Sequence, residues 1–194
     1  MKRLLKKYSS ISELDLQFFQ ACLEGNFYEN GIPEDGFKKL MQYENSTINQ
    51  KAYRVLSFDS WLVTELFDDV DDYITKNEFL NRIMSLIELG RISSWTKDPS
   101  KIDQIIVDAS LDQGDVVLII LEANVYGLDV EKFYNLYGKE INSEDVEYYA
   151  TNEKEIIGTE TNYPKIISIN HIDINSLKNE CDIEEYLSQL GINY

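Results

Sequence analysis

Several residue types that carry common chemistry are scarce in this chain. Its 194 residues include one histidine, two cysteines and four arginines, namely Arg3, Arg54, Arg82 and Arg91. Proteins bind nucleic acid chiefly by neutralising phosphates with Lys and Arg, and arginine is the usual bidentate phosphate ligand. We therefore expect no nucleic-acid ligand.

Motifs for cofactors, metals and catalysis are missing as well. The nine glycines are scattered singly, so no Gly-rich phosphate-binding loop is present. Cys22 and Cys181 form no CxxC pair, and His171 with Asp173 alone is too small a ligand set for zinc. We expect no cofactor, no metal, no catalytic residue and no enzymatic activity. An enzyme with an unfamiliar site around His171 and Asp173 is the least favoured alternative.

Long apolar runs are also absent. The longest, Val116–Leu121, is far short of the roughly 18 residues that a membrane-spanning helix needs. The basic start, MKRLLKKYSS, is not followed by the apolar stretch of a secretory signal. The sequence therefore predicts a soluble cytoplasmic protein with no membrane partner.

The chain is rich in acidic residues. It carries 35 of them against 18 basic residues, a formal charge of −17, and residues 102–194 contain no arginine at all. Hydrophobic residues make up 43% of the chain, which excludes the composition of a disordered protein. We expect residues 1–194 to form a single acidic globular domain, whose charge lies on its surface.

Hydrophobic periodicity predicts an α+β fold that is mostly helical. A helical N-terminal half, about 12–90, is expected to pack with a mixed C-terminal half. The clearest helix start is the capping box from Thr75 to Glu78. The predicted helices are 12–24, 50–67, 75–88, 128–137 and a final one at 183–190. The predicted strands are about 116–124 and about 165–174, with His171 and Asp173 on one face of the second.

Two features leave the fold open. Residues 102–124 fit a hairpin around Gln113-Gly114 as well as they fit helices. Ala21–Asn26 and Ala123–Gly127 faintly resemble the turns of ankyrin-type helical hairpins, although no repeat period recurs. The alternative fold is therefore an all-α array of helical hairpins.

Two acidic clusters are the candidate binding sites. One precedes Thr75, and the other lies within Glu140–Glu160, where carboxylates adjoin tyrosines. Tyrosine is enriched in protein interfaces, so carboxylates beside tyrosines suit a Lys/Arg-rich partner. The predicted partner-binding residues are Asp68, Asp69, Asp71, Asp72, Glu144, Asp145, Glu147, Tyr148 and Tyr149.

As a compact, acidic chain without a diagnostic motif, the protein resembles the immunity proteins of bacterial toxin–immunity systems, including the polymorphic and contact-dependent inhibition types. The resemblance covers the whole chain as a profile. It implies an inhibitor that binds and neutralises a cognate basic toxin, commonly a nuclease. The alternative is a DNA mimic that inhibits a DNA-binding protein, such as an anti-restriction factor. Uneven clusters interrupted by lysines fit that alternative less well.

Overall fold

The computed structural model describes residues 10–23, 31–70, 73–108, 111, 114–139, 141 and 144–192. Of the described residues 42% are helical, with 3₁₀ and π turns included, and 31% are in strands, so the protein is α+β. In chain order the helices are α1 (Glu13–Leu23), α2 (Glu34–Leu40), α3 (Ser60–Glu65), α4 (Lys76–Met84), α5 (Ile102–Asp108), α6 (Val130–Phe133), α7 (Glu144–Asn152) and α8 (Ile183–Gln189). The strands are β1 (Thr47–Asp59), β2 (Tyr73–Thr75), β3 (Ser93–Thr96), β4 (Val116–Asp129), β5 (Glu155–Glu160), β6 (Lys165–Ile169), β7 (Ile172–Asp173) and β8 (Glu180–Asp182).

Six strands form one sheet in the order β1-β3-β5-β4-β6-β7, and β2 pairs with β8 in a second, two-stranded sheet. An additional pairing between β1 and β4 closes the strands β1, β3, β5 and β4 on themselves. The pairs β3–β5, β5–β4, β4–β6, β6–β7 and β2–β8 are antiparallel. This closed sheet shows that the prediction of a mostly helical fold was wrong, and so was the all-α alternative.

The largest error lies in the helical N-terminal half expected at about 12–90. The helix predicted at 50–67 is mostly the strand β1, and only α3 within it is helical. Tyr53 and Leu56 fit a helical stripe, but the segment is also rich in aromatic and β-branched residues that favour strands. This segment forms a strand because it pairs with β3 and β4, and the local sequence does not reveal that pairing.

The C-terminal half departs from the prediction in three places. The strand expected at about 116–124 continues to Asp129, so the helix expected at 128–137 is shortened to α6 and a π-helical turn, Tyr134–Gly138. Residues 102–108 are helical and 116–129 are extended. The segment 102–124 is therefore neither a hairpin nor helical throughout. The strand expected at 165–174 is instead the hairpin of β6 and β7.

The chain divides into two compact units. Unit 1 consists of Met1–Ala52, Gly90–Lys101 and Ala123–Tyr163. Its core joins α1, α2, α6, α7 and the strands β4 and β5 around Phe133, whose ring centroid lies 4.5 Å from that of Phe19. α1 places Phe19 and Leu23 in this core, with Phe18 and Cys22 partly buried beside them, while Leu14 is 75% exposed.

Unit 2 consists of Tyr53–Leu89, Ile102–Glu122 and Pro164–Tyr194. One part of its core packs Ile102 and Ile106 of α5 against Leu118 and Ile120 of β4. In another part the rings of Phe67, Phe79 and Tyr186 stack in series. The helix start predicted at Thr75 is confirmed, because the Thr75 hydroxyl accepts the N–H of Glu78 at 3.2 Å. Whether the units behave as one domain stays a prediction.

Candidate protein-binding surface

The first predicted acidic cluster lies in unit 2, where the chain leaves α3. Asp68 and Asp69 are in the turn after this helix, and both are exposed. Asp71 and Asp72 lie outside the described residues. Thus two of the four predicted carboxylates have an observed position on the surface of unit 2.

Asp69 is held by an arginine of the same unit. Arg82 Nη1 donates to Asp69 Oδ1 at 2.6 Å and to the Leu66 carbonyl oxygen at 2.7 Å. The hydrogen bond from Arg82, together with its charge, holds the pKa of Asp69 below its usual value. Asp69 therefore helps to fix the turn, and its negative charge is largely matched within the unit.

An exposed tryptophan immediately precedes this turn. Trp61 in α3 is 60% exposed, whereas Val63, two residues later, is fully buried. The Trp61 indole Nε1 donates to Asp59 Oδ2 at 3.3 Å. Glu65 follows at the i+4 position, which places it on the same side of the helix. Asp59, Glu65 and Asp68 are all exposed, and with Trp61 they define what we call the Trp61 surface.

The Trp61 surface rests on a firmly packed base. Val63 and Phe67, on the opposite side of the segment, are 0% and 1% exposed. Phe67 stacks on Phe79 with ring centroids 4.9 Å apart, and Phe79 stacks on Tyr186 at 4.8 Å. Because buried side chains fix one face of this short segment, the exposed face is preorganised rather than shaped on binding.

The second predicted cluster lies on α7 in unit 1. Val146 and Ala150 are fully buried, and Glu144, Glu147 and Tyr148 are exposed, Tyr148 by 38%. Asp145 and Tyr149 lie on the same helix, but their side chains are outside the described part of the structure. α7 therefore presents two carboxylates and a partly exposed tyrosine.

Trp61 is not among the predicted partner-binding residues, because the sequence predicts one continuous helix over 50–67. In the structure the helix begins only at Ser60, so Trp61 lies in its first turn. The signal that would have found it is the pair Val63 and Phe67, spaced i and i+4. Once these two define the buried side, Trp61 and Glu65 fall on the other side.

The alternative site around His171 does not have the predicted geometry. Asn170 and His171 form the turn between β6 and β7, with φ angles of 45° and 63°, so His171 is not on a strand face shared with Asp173. The Asp173 carboxylate instead accepts the Asn175 N–H at 2.8 Å and caps a short 3₁₀ helix. Among the described residues no three His, Cys, Asp or Glu side chains are grouped as a metal site requires.

No protein-family model, curated protein or solved structure matches the chain. The resemblance to toxin-immunity proteins therefore stays a prediction. Within the described residues no helix is long and apolar enough to cross a membrane.

Proposed function

We propose that the chain is a binding protein that captures a Lys/Arg-rich protein partner on the Trp61 surface. The observation that carries this proposal is an exposed tryptophan set among exposed carboxylates. Tryptophan is the residue type most typical of interface hot spots, and in unit 2 the side chain of Trp61 is 60% exposed. A partner that covers its ring would recover hydrophobic free energy.

The chemistry around Trp61 favours a cationic side chain. An arginine guanidinium stacks on an indole face by a cation–π contact and pairs with carboxylates through its planar N–H fork. The carboxylate of Asp59 accepts the indole N–H, and Glu65 lies one helical turn after Trp61. Asp68 is exposed in the turn that follows, while Asp69 is already paired with Arg82. The surface thus offers the two groups that together bind arginine well. The −17 charge of the chain would speed the encounter with a basic protein.

In this proposal the protein is a cytoplasmic inhibitor of the immunity type, and its partner is a basic toxin, most simply a nuclease. A nuclease binds phosphates through a cationic surface, and the carboxylates of the inhibitor would occupy or cover that surface. The protein itself then needs no catalytic residue and no cofactor. Glu144, Glu147 and Tyr148 on α7 are the second contact candidate, ranked lower because Tyr148 is less exposed than Trp61.

The test begins with an affinity capture from the native cells, washed first at low and then at high salt. We expect one basic protein to be retained in stoichiometric amount and, if it cleaves nucleic acid, to be inhibited at a one-to-one ratio. Retention of many unrelated DNA-binding proteins would instead support the DNA-mimic alternative. Retention of no basic protein would contradict the proposal.

Variants then locate the contact by surface plasmon resonance with the captured partner. Trp61→Ala should weaken binding by about tenfold or more, chiefly through faster dissociation. The double variant Glu65→Lys/Asp68→Lys should slow association. It is compared with Glu144→Lys/Glu147→Lys, which changes the net charge equally but on the second contact candidate, α7 of unit 1. Equal slowing by both double variants, or normal binding by Trp61→Ala, would exclude the Trp61 surface.

A further inference from the structure

Unit 1 contains a cavity that the proposed function does not use. Its volume is about 420 Å³, within the range of roughly 300–1,000 Å³ that small-molecule pockets occupy. It is lined by the segment before α2 and by α2 itself, by the residues just before β3, and by one residue each from β4 and β5. All of these residues belong to unit 1.

One wall of the cavity is the edge of the hydrophobic core. Phe37 is 5% exposed and belongs to the buried cluster of unit 1. Ile32, Met41 and Ile92 are partly buried and pack against the same cluster, and all four residues line the cavity. The core therefore holds this wall in place, and an apolar ligand can bind to it without rearrangement of the core.

The charged residues of the lining already have partners within the protein. Lys38 Nζ lies 2.5 Å from Glu34 Oε1, one helical turn away on α2. Arg91 also takes part in an interaction of its own, and the carboxylate of Glu160 accepts the N–H of the lining residue Gly90. An ionic ligand would therefore have to displace an existing contact in order to gain one, and a charge left unpaired at an apolar wall costs free energy.

Two residues with neutral hydroxyl groups also line the cavity. Tyr126 of β4 and Thr159 of β5 lie directly opposite each other in the antiparallel pair, so their side chains are on the same face of the sheet. Within the described part of the chain neither hydroxyl has a hydrogen-bond partner. Because a hydroxyl can both donate and accept, this pair can bind an uncharged polar group of a ligand.

We propose that this cavity binds a small neutral molecule with an apolar ring and one uncharged hydrogen-bonding group. The ring would lie against Phe37, Met41 and Ile92, and the polar group would meet the hydroxyls of Tyr126 and Thr159. Aromatic side chains and the thioether of methionine make favourable contacts with a further ring. A neutral ligand also leaves the ion pair and the hydrogen bonds around the cavity intact.

The test uses three probes that share a phenylpropyl body and differ in the head group: 3-phenylpropan-1-ol, 3-phenylpropanoate and 3-phenylpropylammonium. Each is titrated into protein carrying ¹³C-labelled Ile and Met methyl groups. The alcohol should shift the methyl signals of Ile32, Met41 and Ile92 in a saturable way. Its affinity should exceed that of both ions by about fivefold or more, since the charged groups of the lining are already engaged.

Variants test whether the two hydroxyls receive the head group. Tyr126→Phe/Thr159→Val nearly preserves the size of both side chains and removes their hydroxyls. It should weaken the binding of 3-phenylpropan-1-ol by about threefold or more. Its affinity for propylbenzene, which has no head group, should be at least that of the wild type.

The matched control is Tyr163→Phe. It removes the hydroxyl of a 65% exposed tyrosine of unit 1 that lies outside the lining. This variant should bind 3-phenylpropan-1-ol normally. Thermal melts confirm that both variants are folded.

Three outcomes would overturn the inference. One is a smaller preference for the alcohol over either ion, and another is normal alcohol binding by folded Tyr126→Phe/Thr159→Val. The third is the absence of saturable shifts at the three cavity methyls at millimolar alcohol, including the case where Ile102 or Ile106 of unit 2 shifts instead. None of these outcomes bears on the Trp61 surface, so the two proposals stand or fall separately.

Discussion

Gly127 of β4 and Gly158 of β5 lie directly opposite each other in the antiparallel pair. A Cβ on Gly127 would lie 2.2 Å from the Ile157 carbonyl oxygen and 2.6 Å from the Gly158 Cα. A Cβ on Gly158 would lie 2.5 Å from the Tyr126 carbonyl oxygen. The two glycines let two strand backbones approach more closely than any side chain would allow.

We therefore predict that Gly127→Ala and Gly158→Ala each lower the free energy of unfolding by about 1–3 kcal/mol or more, because backbone must move to admit the methyl group. Urea denaturation monitored by circular dichroism measures this. The control is Tyr126→Ala, a 44% exposed neighbour on β4, which should change stability by about 0.5 kcal/mol or less. Alanine variants as stable as the wild type would contradict the close approach of β4 and β5.

The same pair shows why the fold could be predicted only in part. Locally, Ala123–Gly127 faintly resembles the turn of a helical hairpin, which supports only the all-α alternative. Its true role depends on a partner strand far along the chain, and no local pattern reveals that pairing. The helix start at Thr75 was predictable because a cap is a contact between residues three positions apart.

The candidate site, too, could be predicted from the sequence only in part. A dense run of carboxylates indicates exposure, and Asp68, Asp69, Glu144 and Glu147 are indeed exposed. The role of Asp69 in holding Arg82 could not be foreseen, because thirteen residues separate the partners. The exposure of Trp61 does not follow from the predicted helix over 50–67, because in the structure that segment is the strand β1 followed by α3.

The contrast between Trp61 and Phe67 yields a second prediction. Trp61 is 60% exposed, so Trp61→Ala should change the free energy of unfolding by about 0.5 kcal/mol or less. Phe67 is 1% exposed and stacks on Phe79, so Phe67→Ala should cost about 3–5 kcal/mol. Chemical denaturation of both variants tests this. A large loss for Trp61→Ala would mean that its ring supports the fold, and that weaker partner binding by this variant has a structural cause.

A third prediction concerns the buried carboxylate of Asp15. Its Oδ2 accepts hydrogen bonds from Tyr43 Oη at 2.6 Å and Ser12 Oγ at 2.7 Å, and Oδ1 lies 2.6 Å from Lys39 Nζ. Asp15→Asn should lower the free energy of unfolding by about 1–3 kcal/mol at pH 7, and Tyr43→Phe by about 1 kcal/mol. The double variant should lose less than the sum, since both changes remove the same hydrogen bond.

The effect of Asp15 should depend on pH in a defined direction. Burial opposes its ionisation, but the hydrogen bonds from Lys39, Tyr43 and Ser12 outweigh burial and hold the pKa of Asp15 below its usual value. The stabilisation is therefore complete above the unfolded-state pKa, near 3.8, and is lost as the pH falls through the folded-state pKa. The stability difference between wild type and Asp15→Asn should shrink below about pH 4. A constant difference would show that the charge of Asp15 contributes nothing.

Glu155 should give the opposite pH dependence. It begins β5 opposite Thr96 and is 8% exposed. Burial raises the pKa of Glu155 to about 7; the charge of Glu153 acts in the same direction, and a hydrogen bond from Ser94 opposes it. Between pH 4.5, its ordinary pKa, and about pH 7 the folded protein holds a proton that the unfolded chain has released. Stability should therefore fall as the pH rises through this window.

Glu155→Gln removes this titration, so it should gain stability relative to the wild type by up to about 3 kcal/mol between pH 4.5 and pH 8. Urea denaturation of both proteins at the two pH values measures the gain. Glu153→Gln is the matched control: it removes only the neighbouring charge, so its gain should have the same sign and be smaller. Parallel pH profiles for wild type and Glu155→Gln would mean that Glu155 titrates near its ordinary pKa. The side chain would then have to reach water, and the start of β5 would be open rather than packed.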